Sequence, residues 1–168
     1  MLQNIGRLDD LLERLLAIVR LDRLTPKSIK IQSWIEDCVA PFRNAAAKPA
    51  IEVEAADTEW SFDEQQLSRA LHNLIANAVQ HTPPNGWVKV TAAIENGRLG
   101  ISVEDSGSGV PDELKEKIFE PFVSSRSEGS GLGLAIAREI VEAHGGTLRC
   151  VNGGIGARFE IRLQRREP

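Results

Sequence analysis

Asn73-Leu74-Ile75-Ala76-Asn77-Ala78-Val79-Gln80-His81 is the stretch whose reading decides the fold. Leu67, Leu71, Leu74, Ile75 and Ala78 recur at three- and four-residue steps, which predicts a helix over 64–81 with Asp63 as its cap. Asn73, Asn77 and His81 fall four apart and so share a ridge beside that apolar stripe. Asparagine is a mediocre helix former, and each one in mid-helix costs a few tenths of a kcal/mol. Its carboxamide oxygen is a hard ligand suited to Mg²⁺, which fills its other positions with water and phosphate oxygens. Standing alone, the ridge is also what a solvated polar face looks like.

Downstream blocks decide between these readings. Asn96-Gly97 joins two runs, 87–95 and 98–104, that read as an antiparallel hairpin. The second run leads into Asp105-Ser106-Gly107-Ser108-Gly109. Glycines there let the chain turn and let a flat ligand approach without a Cβ in the way. A carboxylate at a strand end can accept a hydrogen bond from an exocyclic amine, and a buried acceptor of that kind discriminates strongly. Next come Phe119-Glu120-Pro121-Phe122, a serine-rich stretch over 123–128, and Gly129, Gly131 and Gly133 opening into a helix predicted over 132–143. Alternate glycines make a pliable strap, and the helix start offers unpaired N–H groups to an anion. No Lys-Ser or Lys-Thr follows them, which excludes a P-loop, and a full Gly-x-Gly-x-x-Gly dinucleotide fingerprint is absent.

Around this centre, strands are expected at 28–32, 51–54, 147–151 and 157–163, with a helix capped by Ser33 that carries Trp34, Ile35, Cys38, Val39 and Phe42. Gly145-Gly146 closes the 132–143 helix. Helices alternating with mostly antiparallel strands predict an α+β fold, a two-layer sandwich with helices on one face of one sheet. Met1 to about Leu24 reads as a separate amphipathic helix ended by Thr25-Pro26.

Composition narrows the function classes. Hydrophobic residues are 42% and charged residues 26% of 168, a globular balance that argues against disorder. A net charge of −4 argues against nucleic-acid binding. Cys38 and Cys150 form no CxxC pair, so two reduced, packed cysteines are expected instead of a zinc site. No apolar run approaches a membrane span and no signal-peptide pattern is present, so the expected location is cytoplasmic.

The ordered set of blocks resembles the ATP-binding domain of sensor histidine kinases. Residues 71–81 match its N box, Asp105 to Gly109 its G1 box, Phe119 to Phe122 its F box, 123–128 a short ATP lid and 129–134 its G2 box. The resemblance implies the Bergerat ATP-binding fold. Asn77 would hold Mg²⁺, Asn73 would lie at the phosphates, and Asp105 would read adenine of ATP or ADP. Gln80, His81, Gly107, Gly109, Phe119, Phe122, Gly129, Gly131, Leu132, Gly133 and Leu134 would complete the nucleotide site. The family often has Lys or Arg where Gln80 stands, and Arg126 is the candidate for that missing cation. ATPases sharing the fold place a glutamate where Asn73 stands, as general base on water. An amide cannot take that proton, so the site looks built to hold the γ-phosphate for another acceptor.

Two departures stand out. Ala157-Arg158 precede Phe159 where the family commonly has threonine, which removes a hydrogen bond expected beside Asp105. The family's phosphoacceptor lies on the first helix of a dimerisation hairpin, whereas residues 1–26 resemble only the second. Residues 27–168 would form the catalytic domain. His72 reads as a packed or surface histidine and His144 as a cation at a helix end. The implied partners are a response regulator and a histidine-bearing dimerisation domain, with a homodimer in the full-length protein and any membrane contact outside this chain. A nucleotide-sensing module without kinase activity and an anti-sigma-type serine kinase are the competing functions.

Overall fold

In the computed structural model, residues 23–43, 49–123, 131–152 and 154–165 are described. The helix expected at the N-terminus lies outside them except for its last two positions, and so do Arg126 and Gly129. Strands β1 (Lys27–Lys30), β2 (Ala50–Ala55), β3 (Glu59–Phe62), β4 (Trp87–Glu95), β5 (Arg98–Asp105), β6 (Thr147–Asn152) and β7 (Ala157–Gln164) alternate with helices α1 (Ile31–Arg43), α2 (Glu64–His81) and α3 (Gly133–Ala143).

Five strands form the main sheet in the order β2-β4-β5-β7-β6. Only β2 runs parallel to its neighbour; β4, β5, β7 and β6 pair antiparallel. Alternation puts Val88, Val90, Leu99, Ile101, Val103, Phe159, Ile161 and Leu163 in the core, where they meet Leu67, Leu71, Leu74 and Ile75 of α2 and Ile136, Ala137, Ile140 and Val141 of α3. Burying a side chain of this size is worth about 1.5–3 kcal/mol. That apolar layer fixes α2 and α3 side by side, which is what makes a site between them possible.

Local signals explain most element ends. Asp63 caps α2, its side chain accepting from the Gln66 N–H. Asn96 (φ 51°) and Gly97 (φ 72°) take the left-handed conformations of a two-residue hairpin turn. Gly145 (φ 73°) and the Gly146 N–H bond to the Val141 carbonyl, 3.0 Å, close α3.

Other expectations fail. The first strand ends at Lys30, and α1 already begins at Ile31, whose N–H bonds to the Thr58 carbonyl at 2.9 Å. Ser33 therefore sits inside the first turn; its hydroxyl donates back to the Lys30 carbonyl, 3.2 Å, instead of capping. The main sheet is not alone, because β1 and β3 make a second, two-stranded antiparallel sheet. Strand β3 escapes sequence reading because its alternation is only four residues long, with Trp60 and Phe62 as its buried pair. His144 is not an exposed cation. It is 6% exposed, and its Nε2 accepts the Asp63 N–H at 3.2 Å, which requires the neutral ring.

Candidate nucleotide site between the two helices

A cavity of about 600 Å³ opens between α2, the end of β5, the start of β7 and the start of α3. That lies within the 300–1,000 Å³ usual for small-molecule sites. Of the residues singled out in the sequence, Asn73, Asn77, Gln80, His81, Asp105, Gly109, Gly131, Gly133 and Leu134 line it. Three blocks separated along the chain thus converge on one space.

Asp105 ends β5 with its side chain turned inward, 2% exposed. Its Oδ1 accepts two backbone N–H groups, Gly107 at 2.8 Å and Ala157 at 3.2 Å. Oδ2 takes no protein hydrogen bond among the described residues. Burial raises the carboxyl above its ordinary range, outweighing the two N–H bonds and the nearby His81 that pull it down. The Ala157 N–H supplies a bond at the place where a threonine hydroxyl was missed, so the acid is oriented by backbone alone.

The glycines around it are steric necessities. A Cβ on Gly107 would collide with the His81 carbonyl, and one on Gly156 with the carbonyl and carboxylate oxygens of Asp105. Gly107 is therefore not a wall of the cavity but the packing behind its acid. Sequence reasoning missed Gly156, since glycines in the stretch Gly153-Gly154-Ile155-Gly156 between two expected strands are what any turn carries.

Across the cavity, Asn77 is half-buried on α2 and its carbonyl oxygen lies 2.8 Å from His81 Nδ1. Asn73 Nδ2 donates to the Gly133 carbonyl at 3.0 Å. The amide thereby ties the middle of α2 to the first turn of α3, a role sequence spacing did not reveal. Gly131 (φ 68°) packs so closely on Phe122 that a Cβ would lie 2.7 Å from the Phe122 carbonyl carbon. The Phe122 N–H reaches the Gly131 carbonyl at 3.1 Å, holding the two ends of the 123–130 segment together.

Phe119, Phe122 and Leu132 do not line the cavity. Phe119 is buried, edge-on to Phe159 at 6.3 Å and covered by the Arg138 guanidinium at 4.9 Å. Leu132 is in the core. Phe122 takes φ 66°, strained for a bulky residue, and is 48% exposed. The apolar wall comes instead from Val110, Pro111, Leu114, Ile118 and Phe159. Leu114 and Ile118, four apart amid charged residues, were the available signal for part of it.

Comparison with known proteins identifies the fold. The profile of the histidine kinase-, DNA gyrase B- and HSP90-like ATPase family matches residues 62–167. Sensor histidine kinase ZraS of Escherichia coli O157:H7 is 33% identical over the whole of this chain, which spans 39% of that protein. Sporulation kinase C of Bacillus subtilis is 30% identical over 95% of the chain and 39% of its own length. The chain thus spans well under half of these relatives. Among solved structures, the catalytic domain of histidine kinase ThkA superposes with a TM-score of 0.78 at 29% identity, covering 84% of this chain and 96% of that one. ThkA in complex with the response regulator TrrA gives 0.80 at 26% identity, covering 98% and 49%. With its site and fold both accounted for, the chain belongs to the histidine kinase-, DNA gyrase B- and HSP90-like ATPase family, as an ATP-binding catalytic domain of the sensor histidine kinase type.

Proposed function

We propose that this domain binds Mg·ATP in the cavity between α2 and α3 and presents the γ-phosphate to a histidine on a separate dimerisation hairpin. The observation that carries this reading is Asp105: a buried acid, oriented through one oxygen by two N–H groups, with its other oxygen left for a ligand. That oxygen would accept the exocyclic amine of adenine, with Val110, Pro111, Leu114, Ile118 and Phe159 as apolar neighbours of the purine.

The donor set fits the metal as well. Among the described residues no cluster of three or more His, Cys, Asp or Glu side chains could hold an ion. One carboxamide oxygen, from Asn77, together with phosphate oxygens and water, suits Mg²⁺, which neutralises phosphate charge when bound. Asn73 fixes Gly133 so that the first N–H groups of α3 face the phosphates, with Gln80 and His81 alongside; Arg126 and Gly129 would add to them from the lid. Gly109 and Gly131 shape the walls, and Phe119, Phe122 and Leu132 position them.

Transfer rather than hydrolysis follows from Asn73. It stands where related ATPases carry a base, and its amide nitrogen is already donated to Gly133. Catalysis is then mostly alignment of reacting groups. Residues 1–26 would belong to the hairpin's second helix and 27–168 to the catalytic domain, acting in the cytoplasm as part of a homodimer that serves a response regulator. No helix among the described residues is long and apolar enough to cross a membrane.

Adding a histidine-bearing hairpin in trans with labelled ATP tests the reading. Acid-labile phosphate should appear on the hairpin and none on this chain alone. Nucleotide binding without transfer would favour a sensor, and acid-stable phosphoserine a serine kinase.

A further inference from the structure

The chain enters the domain through Leu24-Thr25-Pro26 and joins β3 only from Lys27, whose partner is Phe62. Continuing that register places Pro26 opposite Asp63, and proline has no N–H to give to the ladder. The Asp63 side chain takes over at that point. Its Oδ2 accepts both the Thr25 N–H at 2.9 Å and the Thr25 hydroxyl at 3.1 Å. Its Oδ1 accepts the Gln66 N–H at 3.0 Å and so starts α2. Its own N–H donates to Nε2 of His144, the residue that closes α3, whose Nδ1 lies 2.7 Å from the Ile140 carbonyl oxygen.

An ordinary N-cap needs only the bond to Gln66. Asp63 makes three further bonds and thereby joins three elements at one buried point. They are the incoming chain, the start of the helix that carries Asn73 and Asn77, and the end of the helix that begins at the strap. Leu24 and Pro26 line a small cleft with Trp60, Phe62, His144 and Leu163 at the same junction. Burial alone would raise the Asp63 carboxyl; the bonds from Thr25 and Gln66 outweigh it and hold the group below its ordinary range.

We propose that Asp63 is a positioning residue for phosphoryl transfer: by holding Thr25, it fixes the direction from which the chain enters, and hence the posture of the nucleotide cavity toward the acceptor hairpin. This rests on the kinase reading above for its consequence, but not for its geometry. Asp63 caps the helix ten residues before Asn73, about 15 Å along its axis, so the latch governs presentation of the γ-phosphate and not affinity for it.

Asp63→Asn separates the two roles of the side chain. Asparagine caps a helix about as well as aspartate, but its amide nitrogen offers no acceptor to the Thr25 N–H. A nitroxide on Arg20→Cys reports the incoming direction through broadening of domain amides. Cys38 and Cys150 stay unlabelled, because both are buried with thiols pushed up to about 11. In the otherwise unaltered protein the broadening should concentrate on one face of the domain. In Asp63→Asn its maximum should fall at least twofold and spread. Thr25→Ser should keep the unaltered pattern and Thr25→Val should move toward that of Asp63→Asn. The Kd for Mg·ATP should stay within twofold while the rate of transfer to an added hairpin changes at least threefold. Identical broadening with and without Asp63→Asn would overturn the proposal. So would a Kd that changes as much as the transfer rate, which would reduce Asp63 to a helix cap. Failure of the unaltered protein to bind Mg·ATP would sink the kinase reading, while the broadening still decides the latch.

Discussion

At the Asp105 end of the cavity the acid itself is held by backbone: two N–H groups on Oδ1, and glycines at 107 and 156 with no room for a Cβ. At the Asn73–Asn77 end the groups are side-chain amides on a helix face, with Gln80 exposed and room at Gly133, where an added Cβ would come no closer than 3.7 Å to Asn73. The first end is built to refuse wrong shapes; the second is built to adapt. A purine is one rigid shape, whereas a triphosphate with its ion passes through several geometries during transfer. The contrast therefore matches a rigid reader joined to a compliant holder.

Glycine substitutions break the contrast most sharply. Gly156→Ala drives a methyl group into Asp105, and overpacking of this kind costs about 1–3 kcal/mol. Thermal unfolding should show that loss, and calorimetry should find ATP binding abolished. A smaller effect is expected at the holder. Asn77→Ala should weaken binding about tenfold, close to 1.4 kcal/mol, in the presence of Mg²⁺, and leave binding in its absence unchanged. Equal weakening in both conditions would separate Asn77 from the metal. Least of all, Gly133→Ala should change the Kd by less than threefold and raise stability by up to about 1 kcal/mol through helix propensity. Loss of binding there as severe as in Gly156→Ala would erase the distinction between the two ends.

Legibility in the sequence follows the same division. Helix α2 could be read because its apolar stripe, its Asp63 cap and its amide ridge all have helical period over 18 residues. The β4–β5 hairpin could be read because Asn-Gly sets both turn and register. Asp105 was recognisable as an acid beside glycines, but the donors that orient it come from Gly107 and from Ala157, which is distant in sequence, and no local pattern encodes the latter. Strand β3 was too short to register. His144 escapes sequence reading because a histidine at a helix end ordinarily faces solvent, whereas here its Nε2 accepts the N–H of Asp63, 81 positions away in sequence. The apolar wall at Val110, Pro111, Leu114 and Ile118 sits in a loop with two short 3₁₀ turns, where the spacing of Leu114 and Ile118 is the one periodic cue.

Asp105 also carries a stability signature that distinguishes a ligand-reading acid from a structural one. Its folded-state carboxyl is raised, so the folded protein holds that proton more tightly than the unfolded chain does. Its contribution to stability therefore declines as pH rises through the interval between the ordinary and the raised value. At neutral pH Asp105→Asn, which keeps an acceptor for both N–H groups, should leave the melting temperature unchanged or slightly higher.

Calorimetric titration of the unaltered protein and Asp105→Asn with Mg·ATP and Mg·GTP tests the adenine-reading role most directly. The unaltered protein should bind ATP in the micromolar range, about −7 to −8 kcal/mol, with GTP at least a hundredfold weaker, and Asp105→Asn should lose ATP binding without losing its fold. Equal affinity for GTP, or undiminished ATP binding by Asp105→Asn, would contradict it.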